Sequence, residues 1–432
     1  MRRKMFAGRK RSVGLAVALA FGLGSAQPAF AETEIEALKR ELAEQRAMLQ
    51  ALLAERDAQK TAAASTPAAA AAPAKVAASA PAVAFYGVLD GGVEHITGVQ
   101  DGTGKRSLTR VPGITATIPS RIGVRLAKEF APGYKAIGTA EVGFNLDDGS
   151  LGQGGRIFGR QVFAGVDTPY GSLTIGRQYS MLLFGMGASD LLGPNIYALG
   201  SLDAYLPNAR YDNSIAWRKT FSKVSLGATY STGRDTKGGA PGSGTCAGEL
   251  VGDAQACRGW SAMAKYDEAR FGLAAAIDVQ HGGNGATAFF FNGAAPIAFG
   301  DSSDTDRRVA LGGYVKLGQG KLGAGWLGRK VDAAAAHVKS NMYYLEGAYP
   351  ITARFGLDGG VHRVVNDDQD RDATLLVLRG LYKLDDNLTT YLQIGHIANS
   401  DDAQYAVSVG AGISPPPGGS QTATMAGMRY TF

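Results

Sequence analysis

The chain has 432 residues, 60 of them Gly and only 2 Cys, with a mean hydropathy of −0.06. Two cysteines exclude a disulfide-dense scaffold and any multi-cysteine zinc or iron–sulfur centre. Past residue 31 no apolar run approaches the ~18 residues of a spanning helix, which excludes a helical membrane protein but not an alternating β-barrel. The formal charge of +6 sits in one segment: Arg2, Arg3, Lys4, Arg9, Lys10 and Arg11 precede residue 31 with no acids among them. The remainder holds 38 basic and 38 acidic residues, so no global argument for a nucleic-acid partner survives.

Residues 1–31 have the form of a secretory signal peptide. A basic start leads into an apolar run from Val13, and Ala29-Phe30-Ala31 supplies a small-x-small cleavage pattern. Residues 32–60 follow with Ile35, Leu38, Leu42, Gln45, Leu49 and Leu52 at alternating spacings of three and four. That is the seam of a coiled coil, and a lone helix of this length is marginal in water without association. Residues 61–81 are mostly Ala, Pro, Ser and Thr and read as a linker.

From 82 to 432 the texture changes to short alternating segments. Sixteen strand starts are expected, near Ala84, Ser120, Tyr134, Ile157, Ser172, Ala209, Lys223, Trp260, Phe271, Arg308, Lys321, Asn341, Phe355, Thr374, Leu388 and Ala423. In Ser120–Lys128, Ile122, Val124 and Leu126 alternate with Arg121, Gly123 and Arg125. In Ala209–Lys219, Tyr211, Ile215 and Trp217 alternate with Arg210, Asp212, Ser214 and Arg218. Short connections recur at every second junction, while 180–208, 233–258, 281–305 and 399–420 are long. Short turns at one end, long loops at the other, and one polar face describe an outer-membrane barrel. The expected fold is all-β: a 16-stranded antiparallel transmembrane β-barrel with an N-terminal helical coiled-coil segment. Tyr211, Trp217, Trp260, Tyr343, Tyr349, Tyr391 and Tyr430 are candidates for its aromatic girdles.

Cys246 and Cys257 share one long loop, and export to an oxidising compartment predicts a disulfide between them. The five His residues lie in separate segments, and no Gly-x-Ser-x-Gly, His-Glu-x-x-His or Walker motif is present. No enzyme activity, cofactor or metal site is expected.

Several segments resemble the trimeric general porins of beta-proteobacteria and Neisseria. They are Phe85-Tyr-Gly-Val-Leu-Asp-Gly-Gly-Val, Ser120-Arg-Ile-Gly-Val, Lys135-Ala-Ile with Glu141, Arg160-Gln-Val-Phe-Ala-Gly-Val, Gly171–Tyr179, Arg210–Ile215 and Gly427–Phe432. The prefix is similar to the periplasmic extensions of phosphate- and dicarboxylate-type porins. The resemblance implies a homotrimer in the outer membrane, in contact with lipid and lipopolysaccharide, and a loop 180–208 folded inward as a constriction. It also implies that Phe432 forms part of a signal read by the barrel-assembly machinery.

The resemblance also implies a basic wall facing an acidic inward loop, so the candidate pore lining is Arg121, Arg125, Lys135, Glu141, Arg160, Arg210, Asp212 and Arg218 on the polar face of strands, with Asp190 and Asp203 on the loop. The expectation is passive diffusion of small hydrophilic solutes and ions with a lean toward anions. The alternatives are a channel selective for phosphate or dicarboxylates, and an envelope tether that links the outer membrane to peptidoglycan through the coiled coil.

Overall fold

A computed structural model describes residues 81–432, except 235–245, 247, 284, 401 and 411. The expected signal peptide, coiled coil and linker lie outside the described residues, apart from Pro81.

Among the described residues there are nineteen strands, and seventeen of them form one sheet. The sheet begins with β1 (Ala82–Asp101), β2 (Gly104–Arg110), β3 (Arg121–Ala131), β4 (Tyr134–Gly143), β5 (Gln161–Thr168) and β6 (Gly171–Tyr179). It continues with β7 (Arg210–Phe221), β8 (Val224–Ser231), β9 (Gly259–Asp267) and β10 (Phe271–His281). β11 (Thr287–Ala288) and β12 (Ile297–Ala298) pair only with each other, inside a long loop. The sheet resumes with β13 (Thr305–Leu317), β14 (Gly320–Ala333), β15 (Ala336–Pro350) and β16 (Phe355–Val365). It ends with β17 (Ala373–Lys383), β18 (Leu388–Asn399) and β19 (Gln421–Thr431).

β2 and β3 flank β1 on the same side, β2 against residues 94–101 and β3 against residues 82–88. They are two pieces of one stave, so the seventeen strands make sixteen staves, all antiparallel to their neighbours. The closing pair is β1 with β19, from Val88 opposite Thr431 to Ile96 opposite Ala423. Phe432 continues it: its carbonyl accepts the Gly87 N–H at 2.9 Å, and its own N–H donates to Gly87. Its ring covers Gly87, where any side chain would collide with it. Closure leaves no open edge among the staves, which a sheet in hydrocarbon requires.

The staves alternate as expected. Ile122, Leu126, Ile175, Leu273, Leu345, Leu378 and Leu392 are exposed on the outer face. Asp90, Glu141, Asp278, Arg308, Glu346 and Arg379 are buried inside. Every expected strand start lies within five residues of an observed one. One long-side junction is tight: β14 and β15 are joined by residues 334–335 alone.

Two girdle candidates are corrected. Tyr211 is fully buried, donating to the Trp260 carbonyl, and Tyr391 donates inward to Asp90 at 2.7 Å. For Tyr211 the cause is a β-bulge: the β6–β7 register shifts between Gly176 and Gln178, opposite Asn213, whose φ is 46°. The bulge reverses which face Tyr211 occupies. Trp260, Tyr343, Tyr349 and Tyr430 do face outward.

Candidate functional site

The segment after β6 turns into the barrel. A short helix, α1 (Met181–Met186), buries Met181 and Leu182, and the Met181 N–H donates to Ser261 on β9. The chain then crosses to the far wall. Ser189 and Tyr344 share a hydrogen bond of 2.7 Å, and the N–H groups of Leu191 and Leu192 both donate to Glu346. Asn195 donates to Gln393 on β18 at 2.9 Å, and Ile196 N–H to the Ala116 carbonyl at 3.1 Å. Small residues let the loop lie this close: side chains at Gly312 or Gly323 would run into Ser189. A second helical turn, α2 (Leu199–Leu202), leads back to β7. Loop 180–208 therefore lies across the lumen.

Between this loop and the β3–β6 wall is a cavity of about 620 Å³. Its wall side carries Arg121, Arg125, Glu141, Arg160 and Tyr179, and its loop side Leu183, Phe184, Asp190, Pro194 and Pro207. Register explains the wall. Arg121 pairs with Gly143, Arg125 with Thr139, and Glu141 with both Gly123 and Gln161, so all share the lumen face.

Glu141 is the hub of the wall. It accepts from Arg160 Nε at 2.8 Å and from the Tyr86 hydroxyl at 2.8 Å, and Arg121 Nε lies 3.4 Å away. Arg160 also donates to the Tyr179 hydroxyl at 2.6 Å. One carboxylate thus serves two guanidinium groups. Arg125 has no carboxylate partner among the described residues; it stands over the Tyr86 ring at 4.0 Å. Arg218 is likewise without one among the described residues and stands over the Phe184 ring at 4.3 Å. It lines a further cavity of about 410 Å³ nearer the short turns, with Asp167, Lys219 and Lys265. Phe184 borders both cavities.

Four expected lining residues are placed elsewhere. Asp203 turns away from the basic wall, accepting from Arg308 Nε at 2.8 Å, with Arg329 3.8 Å away on β14. Asp212 is buried between Arg156 at 2.9 Å and Arg177 at 2.7 Å, because the Asn213 bulge swings it to the strand end. Arg210 is buried as well, stacked on the Tyr179 ring at 4.5 Å and donating to its hydroxyl at 2.8 Å. It props Tyr179 rather than lining the slot. Lys135 faces inward opposite Asp167 and Glu129, at the short-turn mouth and away from the constriction.

Asp190 alone of the two loop acids reaches the slot. Its Oδ1 accepts the Gly193 N–H at 2.8 Å. Burial first, then the neighbouring Glu346 carboxylate, raise its carboxyl above the usual carboxylate range.

Sequence reasoning missed Tyr86, Tyr179, Leu183 and Phe184 around the slot. Parity could have found Tyr86, since Phe85 and Leu89 face outward. It also missed the far-wall clamp. Arg308 and Arg329 flank Asp306 at 3.1 and 2.8 Å, Arg379 holds Asp358 at 2.8 Å, and His362 Nε2 lies 2.8 Å from Glu346. Cys246 and Cys257 form the expected disulfide, packed with Phe290 and Phe299 in the external loops. Among the described residues no cluster of three or more His, Cys, Asp or Glu could hold a metal ion.

A family model for Gram-negative porins matches residues 61–402, most of the chain. The chain belongs to the Gram-negative porin family. That places this porin's barrel in the outer membrane, and the family's members are channels rather than enzymes. An outer membrane porin protein of Bordetella pertussis is 30% identical over 122 residues, which span 27% of this chain and 32% of that relative. The matched stretch is thus about a third of the relative's length. Among solved structures, an anion-selective porin from Comamonas acidovorans matches with a TM-score of 0.67 at 20% identity. The match covers 82% of this porin and 100% of that chain. OmpT of Vibrio cholerae matches with a TM-score of 0.57 at 16% identity, over 83% and 99% of the two chains. At these identities the likeness is one of fold.

Proposed function

We propose that this porin passes small hydrophilic solutes by passive diffusion and prefers anions. The observation that carries the preference is the charge balance at the slot. Arg121 and Arg160 share the single carboxylate of Glu141, and Arg125 has no carboxylate partner among the described residues. The loop opposite presents one acid, Asp190, because Asp203 is held by the far wall. Selectivity in a pore follows the field at its narrowest ring, and arginine keeps its charge and offers a donor fork that suits carboxylates and phosphates. The similar Comamonas protein is described as anion-selective, which agrees with this reading.

The working form is a homotrimer whose 32–60 segments associate through Ile35, Leu38, Leu42, Gln45, Leu49 and Leu52 on the periplasmic side, after loss of residues 1–31. A trimer form of the Vibrio cholerae OmpT has been solved. The remaining partners proposed are lipopolysaccharide around the barrel, the barrel-assembly machinery at Phe432, and peptidoglycan at the N-terminal segment.

The test is the zero-current potential of the purified protein in a planar bilayer under a KCl gradient. A potential of the sign for chloride is expected. A cation sign would mean that Glu141 and Asp190 dominate and would overturn the anion preference. A silent bilayer would favour the envelope-tether reading.

A further inference from the structure

We propose that the slot binds small amphiphilic organic anions, monocarboxylates with an aromatic or aliphatic body, in preference to compact hydrated anions. The inference rests on the anion-channel reading above and names the solute class of the same site.

The two sides of the slot differ in chemistry. The wall offers guanidinium groups; the loop offers Leu183 and Phe184, both half-buried, with Pro194 and Pro207. A hydrated phosphate or chloride gains nothing from that apolar side. A carboxylate with an apolar body gains twice: its oxygens meet the arginine fork, and its body displaces water from Leu183 and Phe184. Asp190 on the loop side repels the carboxylate, which turns it toward Arg121 and Arg125 and leaves the body against the loop.

The aromatic rings give the site continuity along the pore. Tyr179 and Phe184 meet edge to face at 6.3 Å, and Phe184 borders both cavities. Arg125, over the Tyr86 ring, lines the first cavity, and Arg218, over the Phe184 ring, lines the second. A carboxylate leaving Arg125 can therefore reach Arg218 while its apolar body stays on the Phe184 ring. Weak binding at successive sites is what lets a channel be selective and still release its solute.

The experiment measures block of the chloride current through the full-length protein in a planar bilayer by acetate, hexanoate, benzoate and inorganic phosphate. Benzoate should halve the current at a concentration roughly tenfold below that of acetate, with hexanoate between them. Phe184→Ser should bring benzoate back to the acetate value, whereas Arg125→Gln should weaken both. Equal block by acetate and benzoate, or strongest block by phosphate, would overturn the inference while a chloride-sign potential still upholds the channel reading. A cation-sign potential would overturn both. If Phe184→Ser does not assemble, the acid series on the unaltered protein decides.

Discussion

The two inner walls of this barrel carry the same residue types and use them differently. On the far wall, Arg308, Arg329 and Arg379 are each matched with a carboxylate and withdrawn from water. On the slot wall, Arg160 and Arg121 share Glu141, and Arg125, with no carboxylate partner among the described residues, stands over an aromatic ring. A matched charge contributes little field at a distance and a great deal of geometry; an unmatched one does the reverse. The far wall is thus an anchor for the inward loop, and the slot wall is left to act on solutes. Counting lumen arginines says nothing of selectivity until their partners are known.

The largest way to break this division is at the anchor. Arg308→Met strips Asp203 and Asp306 of a buried partner, and breaking such a pair costs about 3–5 kcal/mol. The expected result is a lower unfolding temperature and a noisier, larger single-channel current as loop 180–208 is released. Next comes Arg125→Gln, which should leave stability unchanged and lower the chloride-to-potassium permeability ratio. A unit charge at ~4 Å in a water-like slot is worth about 1 kcal/mol, or about fivefold. Bilayer reversal potentials on the two variants separate the walls.

A smaller effect is expected with pH. The Asp190 carboxyl is held above the usual carboxylate range, so it loses its charge while ordinary carboxylates are still ionised. As pH falls through that window the slot loses a negative charge and anion preference should rise. Asp190→Asn should flatten this dependence and fix the preference near its acidic value; an unchanged profile would show that Asp190 does not face the solute. The smallest effect belongs to the disulfide, which lines neither the slot nor the second cavity. Replacing Cys246 and Cys257 with Ser should leave reversal potentials unchanged and make the 246–257 loop easier to cleave by protease, read by electrophoresis after limited digestion.

The staves were legible in the sequence because period-two alternation is a local signal and survives wherever one face meets lipid. It weakens outside that band. Gly104–Arg110 has little apolar alternation, so this piece of the second stave carries no strand signal in the sequence. Parity also fails across a bulge: Asn213, with φ of 46°, reversed the face assigned to Tyr211 and moved Asp212 to the strand end. The slot was half legible. Arg121, Arg125, Glu141 and Arg160 follow from strand parity alone. Asp203 could not be placed that way, since its partner Arg308 lies 105 residues on and nothing local points to it. The same holds for the apolar side of the slot, where Leu183 and Phe184 belong to a loop whose path is set by hydrogen bonds to β9, β13, β15 and β18.

The seam between β1 and β19 has a consequence for how the barrel is made. Val88 meets Thr431, and Gly87 meets Phe432, so the first stave stays without its second neighbour until the last has emerged. The sheet cannot ring shut progressively behind the ribosome or the secretion channel. Any partly assembled sheet that lacks this seam has two edges of unpaired backbone beside an apolar outer face. Contacts this distant in sequence close slowly, which lengthens the window for mispairing. The architecture therefore demands escort of an unfinished chain, and it makes loss of the final few residues far more damaging than a comparable deletion within a long loop.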